Sequence, residues 1–239
     1  FSSSVASSVQ LRLWIHHNLF TGQTSADYRA DAIEMGEAGS YSFVPTLSTG
    51  TYIEDNYFNN IQLSAENVID IKLGGMVIRR NTIAANSSAC VIDARFGNNS
   101  IWESNYLHTG TLRIAAKGHK VIGNYGPVVL LAGTKDADTT PSTLISSDHL
   151  ACENTLVAGN IGTLHVGYDP SWANVVRASA TTIEDHTGAI TLDFETGTID
   201  NSGDPSSYNY TPAVALTTAQ VGPSAISSAS AAYKAARGL

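Results

Sequence analysis

Two apolar segments of this 239-residue sequence carry a cation at the same place. VIDIKLG, ending at Gly74, sets Lys72 two residues before its glycine, and VIDARFG, ending at Gly97, sets Arg95 likewise. Glu34 holds that offset before Gly36 in AIEMG, and Asp70 and Asp93 lie two residues further back on the same side. These residues stand inside a concentration of charge. Between positions 72 and 120, Lys72, Arg79, Arg80, Arg95, Arg113, Lys117 and Lys120 face only Asp93 and Glu103, a local balance of +5 in a chain of net charge −8. A basic strip on an acidic surface focuses an anionic ligand at one place. A polyanionic chain lying along repeated groups is the natural partner. Asp70 and Asp93 could also form the carboxylate pair, about 5–9 Å apart, of a glycoside hydrolase. Each has a Lys or Arg beside it, however, and reads more simply as an ion-pair partner.

The elements that position these residues are a repeat. Asn followed by an aromatic, a Thr or a small residue recurs at Asn18, Asn56, Asn81, Asn105, Asn124 and Asn160, at intervals of 38, 25, 24, 19 and 36 residues. Between them run apolar alternations of four to seven residues ending in Gly, at Gly36, Gly74, Gly97, Gly118 and Gly133. Period-two alternation rich in Val, Ile and Leu, bounded by Gly and Asn, reads as short strands. Short strands at a period near 24 residues specify an all-β fold, a right-handed parallel β-helix in which each coil buries its inward side only by stacking on the next. One Asn per coil can take the left-handed conformation and hydrogen-bond to its counterpart, forming a ladder. Aligning the coils on their glycines makes Lys72, Arg95 and Glu34 outward neighbours, with Ile69, Ile71, Ile92 and Ala94 pointing inward.

The repeat divides the chain into a β-helix over residues 1–198 and an extended C-terminal segment, 199–239, that covers or trails the helix end. It loosens from residue 134 and resumes near Asn160. TLDFE at 191–195 reads as a last strand, and SAAYKAARG as a short helix. The first coil leaves an open strand edge, so upstream residues or a partner chain, such as another copy in a homo-oligomer, are expected to cover it. Phe1 follows no leader, so any signal peptide is expected to have been removed. Low charge with abundant Ser, Thr, Asn and Gly suits a secreted protein. No apolar run of about 18 residues marks a membrane span, and the acidic balance argues against a nucleic-acid partner. Cys90 and Cys152 lack CxxC or CxxxH spacing and read as two buried thiols.

The ordered set DAIEMG, YIEDNYF, ENVIDIK, VIRRNTI, VIDARFGN, ESNYLHTG and LRIAAKGHKVIGNY resembles polysaccharide lyase family 6, the chondroitinase B-like and alginate lyases. The likeness spans about residues 10–133. It implies that the chain is a lyase acting on a uronic-acid-containing anionic polysaccharide. Lys72 would take the C5 proton as general base, and Arg95 would protonate or stabilise the leaving oxygen. A guanidinium one coil away is expected to lower the Lys72 pKa by like-charge repulsion. Arg95 stays protonated and grips a carboxylate, so its part is chiefly electrostatic. The family's calcium, held by an Asn and two Glu, would fall at Asn56 and Glu66; the second Glu is missing, and Asp70 or Asn67 would complete the site; Arg113, or Lys117 with His119, would otherwise neutralise the substrate carboxylate. Tyr57 and Tyr106 could stack on sugar rings, and Glu34 lies beside the substrate path. Phe96 stands where the family places a His, a change expected to alter substrate recognition. The competing reading is a non-catalytic carbohydrate-binding β-helix, as in phage tail spikes or adhesins.

Overall fold

The computed structural model describes residues 12–22, 24–25, 31–36, 50–59, 61–63, 67–84, 91–137, 149–168, 175–193, 195–196 and 210–221. Through them the chain winds as a parallel β-helix with three faces. One sheet, here the charged sheet, stacks Ile33–Met35, Ile69–Ile71, Val91–Ala94, Thr111–Ile114, Val128–Leu131, Leu164–Tyr168 and Ile190–Leu192. The middle sheet stacks Trp14–His16, Tyr52–Glu54, Val77–Arg79, Ile101–Glu103, Lys120–Ile122, Leu156–Ala158 and Thr182–Glu184. After a sharp corner the tyrosine sheet follows, with Leu19–Thr21, Tyr57–Asn59, Thr82–Ile83 and Tyr106–Leu107. Strands within all three sheets run parallel.

Each sheet contributes a column of inward side chains. In the middle sheet Ile53, Ile78, Trp102, Val121, Val157 and Ile183 are in register and have no solvent exposure. The tyrosine sheet adds Phe20 stacked flat on Phe58, ring centroids 4.7 Å apart, then Ile83 and Leu107. On the charged sheet Ile69, Ile71, Ile92 and Ala94 face inward as the alternation requires. Burying an Ile or Phe side chain contributes about 1.5–3 kcal/mol. No coil can bury its own column, so stacking supplies the stability.

The asparagine ladder forms at the corner between the middle and tyrosine sheets. Asn56 Oδ1 accepts from the backbone and side-chain nitrogens of Asn18, and Asn56 donates in the same way to Asn81 Oδ1. The pattern repeats through Asn105 and Asn124 to Asn160. The left-handed residue is not the Asn but the one before it: His17, Asp55, Arg80, Ser104, Gly123 and Gly159 all have φ between 52° and 63°. The turn thus bends one residue early, which leaves the Asn side chain pointing inward to pair. His186 takes the ladder position in the next coil, where the asparagine series ends among the described residues.

Of the C-terminal segment, residues 210–221 lie along the side of the stack. Tyr210 packs over Gly123 and Gly159, the Ala213 amide donates to Gly123 O, and the Leu216 amide donates to Thr82 Oγ1. The SAAYKAARG segment lies outside the described residues. No helix among the described residues is long and apolar enough to cross a membrane.

Candidate active site

Lys72 and Arg95 each leave the charged sheet directly after its last strand residue, Ile71 and Ala94. The Lys72 amide bonds to Met35 O and the Arg95 amide to Ile71 O, so the two residues occupy one position in adjacent coils, about 4.8 Å apart. Gly97 is what lets the coils close here. A Cβ at that position would stand 1.9 Å from Leu73 O. The glycine alignment misplaces one member. Glu34 is in register with Asp70 and Asp93, and Gly36 with Lys72, because the first coil reaches its glycine one residue after the strand while Gly74 and Gly97 come three residues after theirs. The outward column therefore reads Glu34, Asp70, Asp93, Arg113, Val129, His165 and Thr191.

Lys72 is held among carboxylates. Its Nζ bonds to Glu34 Oε1 and lies 2.9 Å from Asp70 Oδ2, and the residue is 4% exposed. Burial by itself would lower the Lys72 pKa, but Asp70 and Glu34 overcome it and hold the ammonium above the ordinary lysine value of 10.5. This corrects the expected lowering by Arg95: two nearby opposite charges outweigh one like charge. Burial, then the charge on Asp93, push the Asp70 carboxyl up to about 7 against the pull of Lys72. Arg113 forks onto Asp93 through Nε and Nη2. Arg79 and Arg80 are likewise neutralised, by the fully buried Glu54 and by Asp55. Arg95 differs. Its half-buried guanidinium lies 5.4 Å from the centre of the Phe96 ring, and its Nε has no hydrogen-bond partner among the described residues. Phe96 itself points into the core at 1% exposure, so it does not line the substrate path.

Other expected members part from this group. His119 is buried: its Nδ1 accepts from the Ser100 amide and from Trp102 Nε1, which leaves Nε2 to donate to Ala115 O. Burial drives its pKa to about 4, so it is a neutral core residue and not a substrate ligand. Lys117 sits in the corner beyond Arg95, one coil on, with its amide bonded to Asn98 Oδ1. Tyr57 and Tyr106 belong to the tyrosine sheet, away from Lys72 and Arg95. Asn56 is consumed by the ladder and cannot ligate a metal beside Asp70. Glu66 lies outside the described residues.

The oxygens that do gather are those of Asp31, Glu34 and Asp70, within 4.8 Å of one another. Neither Asp70 carboxylate oxygen accepts a well-directed hydrogen bond, though the side chain is buried. Hard oxygen donors with unused lone pairs fit a calcium ion; the Lys72 ammonium holds the cationic position there. Asp31 escaped the sequence reading, although its place three residues before Glu34 could have suggested it. So did His165, which shares the Arg113 column two coils on, bonds through Nε2 to Asp193, and meets the Tyr168 ring edge-on at 5.1 Å. Its signal was the outward place in the alternation LHV.

The fold matches solved polysaccharide lyases. A mannuronic acid specific polysaccharide family 6 lyase from human gut microbiota superposes with TM-score 0.61 at 20% identity, over 86% of this chain and 53% of that one. A family 6 alginate lyase in complex with a trisaccharide gives TM-score 0.64 at 15% identity, over 86% and 55%. An alginate lyase in complex with G6 gives 0.64 at 16%, over 79% and 51%. The chain thus has the parallel β-helix fold of these lyases and spans about half their length. No protein-family model matches it, and no curated protein matches it significantly.

Proposed function

We propose that this chain is part of a secreted polysaccharide lyase that cleaves a uronate-containing, alginate-like glycan by β-elimination. The observation that supports this reading is the pair Lys72 and Arg95, set at one position in adjacent coils beside Arg113. Arg95, the cation of this group with no carboxylate partner among the described residues, receives the uronate carboxylate. Neutralising that carboxylate acidifies the C5 proton. Lys72 in its amine form takes the proton, the C5–H electrons form the C4–C5 double bond, and the C4–O bond breaks. Solvent protonates the departing oxygen, whose charge Arg95 stabilises. Asp31, Glu34 and Asp70 would hold the calcium that the resemblance implies only with Lys72 in its amine form, because the ammonium otherwise takes that position, and the ion would supply positive charge beside the substrate carboxylate. The test is incubation with alginate, chondroitin, dermatan, pectate and ulvan, with and without a chelator, followed by the ultraviolet absorbance of the unsaturated product. Product lost in Lys72→Ala supports the reading. Absence of product from every glycan sinks it.

A second reading is favoured by the burial of Lys72 between two carboxylates. In a non-catalytic β-helix the same column would bind an anionic glycan through Arg95 and Arg113 and leave it intact. Binding of the panel without product formation would select it.

A further inference from the structure

The charged sheet pairs residue for residue along its described strands except at one step. Val129 faces His165 and Leu130 faces Val166, but Leu131 faces Tyr168, because Gly167 is an extra residue in the left-handed region at φ 75°. A bulge of this kind re-aims the side chain that follows it. Plain alternation from the outward His165 would send Tyr168 into the core. The bulge turns it out instead, 40% exposed, with its ring edge-on to the His165 ring. His165 is fixed by Nε2 on Asp193 Oδ2, and Asp193 is held by its own amide on Val166 O. His165 Nδ1, the Tyr168 hydroxyl and the hydroxyl of Thr191, in register with His165, have no hydrogen-bond partner among the described residues. Groups that donate and accept beside an exposed aromatic ring suit a pyranose, which presents hydroxyls at its edge and C–H bonds on its face.

The place of this cluster sets its ligand. His165 stands in the Arg113 column two coils on, with the half-buried Val129 between, so the two positions are about 10 Å apart along the axis. A sugar unit is about as long as one coil step, about 4.8 Å. A glycan lying along the column with one sugar at Arg113 therefore brings the second sugar onward to His165. The half-exposed Asp193 repels an anionic group there, whereas Arg95 and Arg113 attract one. The sugar at His165 is thus read by its hydroxyls and not by a carboxylate.

We propose that His165 and Tyr168 form a subsite for the sugar two residues along the glycan from the one held at Arg113. This subsite presupposes the reading of the charged sheet as a glycan-binding face, and adds the length of chain that the face reads. Surface plasmon resonance on the immobilised full chain, under a continuous flow of mannuronate and guluronate oligomers from dimer to hexamer, tests it. Affinity should rise at least about tenfold from dimer to tetramer, since three sugars span Arg113 to His165. Tyr168→Ala and His165→Ala should each remove most of that rise and leave dimer binding and the thermal transition as in the parent. A rise that survives either substitution, or an affinity that does not change with length, overturns the subsite and leaves the reading of Lys72, Arg95 and Arg113 standing. Binding of no oligomer overturns the glycan-binding face and the subsite with it.

Discussion

Lys72 sets the chemistry that the charged sheet can perform, and its carboxylate partners set the pH at which it can act. An ammonium held above the ordinary lysine value is almost wholly charged at neutral pH. Lyase activity that uses Lys72 as base should therefore rise with pH through the alkaline range without levelling off at neutrality. Glu34→Gln removes one raising influence from a partly exposed position, so it should move the rate profile to lower pH, by a measurable fraction of a unit at least. A profile that is flat from neutral pH upward in both proteins would exclude Lys72 as the base. His119 gives a second test at this scale. Its folded pKa, about 4, lies below the ordinary 6.5, so the unfolded chain binds more protons between those values and the His119 contribution to stability is lost as pH falls through that window. Asp70, raised to about 7, acts oppositely in the same range, since its folded form keeps a proton the unfolded chain has shed. The readable quantity is the difference: denaturant titrations should show a shallower acid loss in His119→Gln than in the parent between pH 6.5 and 4. Sequence spacing placed Lys72 beside Arg95 because register follows from strand length. It could not show which carboxylates would reach Nζ, because Glu34 arrives there through a glycine turn two residues shorter than those that end at Gly74 and Gly97. Nor could it separate an outward His from the inward His119, whose place in the corner follows the bend at Ala116, φ 69°.

The corner turns are where backbone chemistry fixes the elements. From Asn56 to Asn160 each ladder Asn spends its amide on at least two acceptors: Asn105 Nδ2 reaches Ile78 O and Asn124 Oδ1, and its Oδ1 takes both nitrogens of Asn81. Asn105→Ala leaves these buried groups unmatched, at about 1–3 kcal/mol for each unsatisfied group. Chemical denaturation should show a loss of at least about 2 kcal/mol, against a few tenths for an exposed strand residue such as Thr191 changed to Ala. Gly162 is constrained twice. Its φ of 143° excludes other residues, and a Cβ there would lie 2.3 Å from Gly126 O in the previous coil. The ladder was legible from the sequence since Asn recurs with the same neighbours, yet the left-handed residue before it was not, because that position accepts His, Asp, Arg, Ser or Gly alike. Backbone geometry, not side-chain type, selects it.

At the scale of the molecule, stability accumulates coil by coil, since each strand of the three sheets pairs only with the strands of the coils before and after it. Order should therefore grade along the axis. Central coils have ladder bonds and full inward columns on both sides: Leu112 and Ile114 have no exposure. In the coil that ends the charged sheet, Ile190 and Leu192 are 37% and 48% exposed, and His186 stands in place of the ladder Asn. An end layer with one neighbour opens without disrupting the rest, whereas a central layer opens only by breaking two interfaces. The Tyr210–Leu216 segment adds a brace that links Gly159, Gly123, Ser104 and Thr82, so it ties together the coils between them. Native-state hydrogen exchange should show amides of Leu112, Ile114 and Val121 exchanging only through global or near-global unfolding, and those of Thr191 and Leu192 exchanging several orders of magnitude faster. Tyr210→Ala should narrow the protected region from the Gly159 side first, because the ring fills the space over both Gly123 and Gly159. Uniform protection from Ile69 to Leu192 would instead mean that the solenoid opens as one unit, and the layer-by-layer account of its stability would fail.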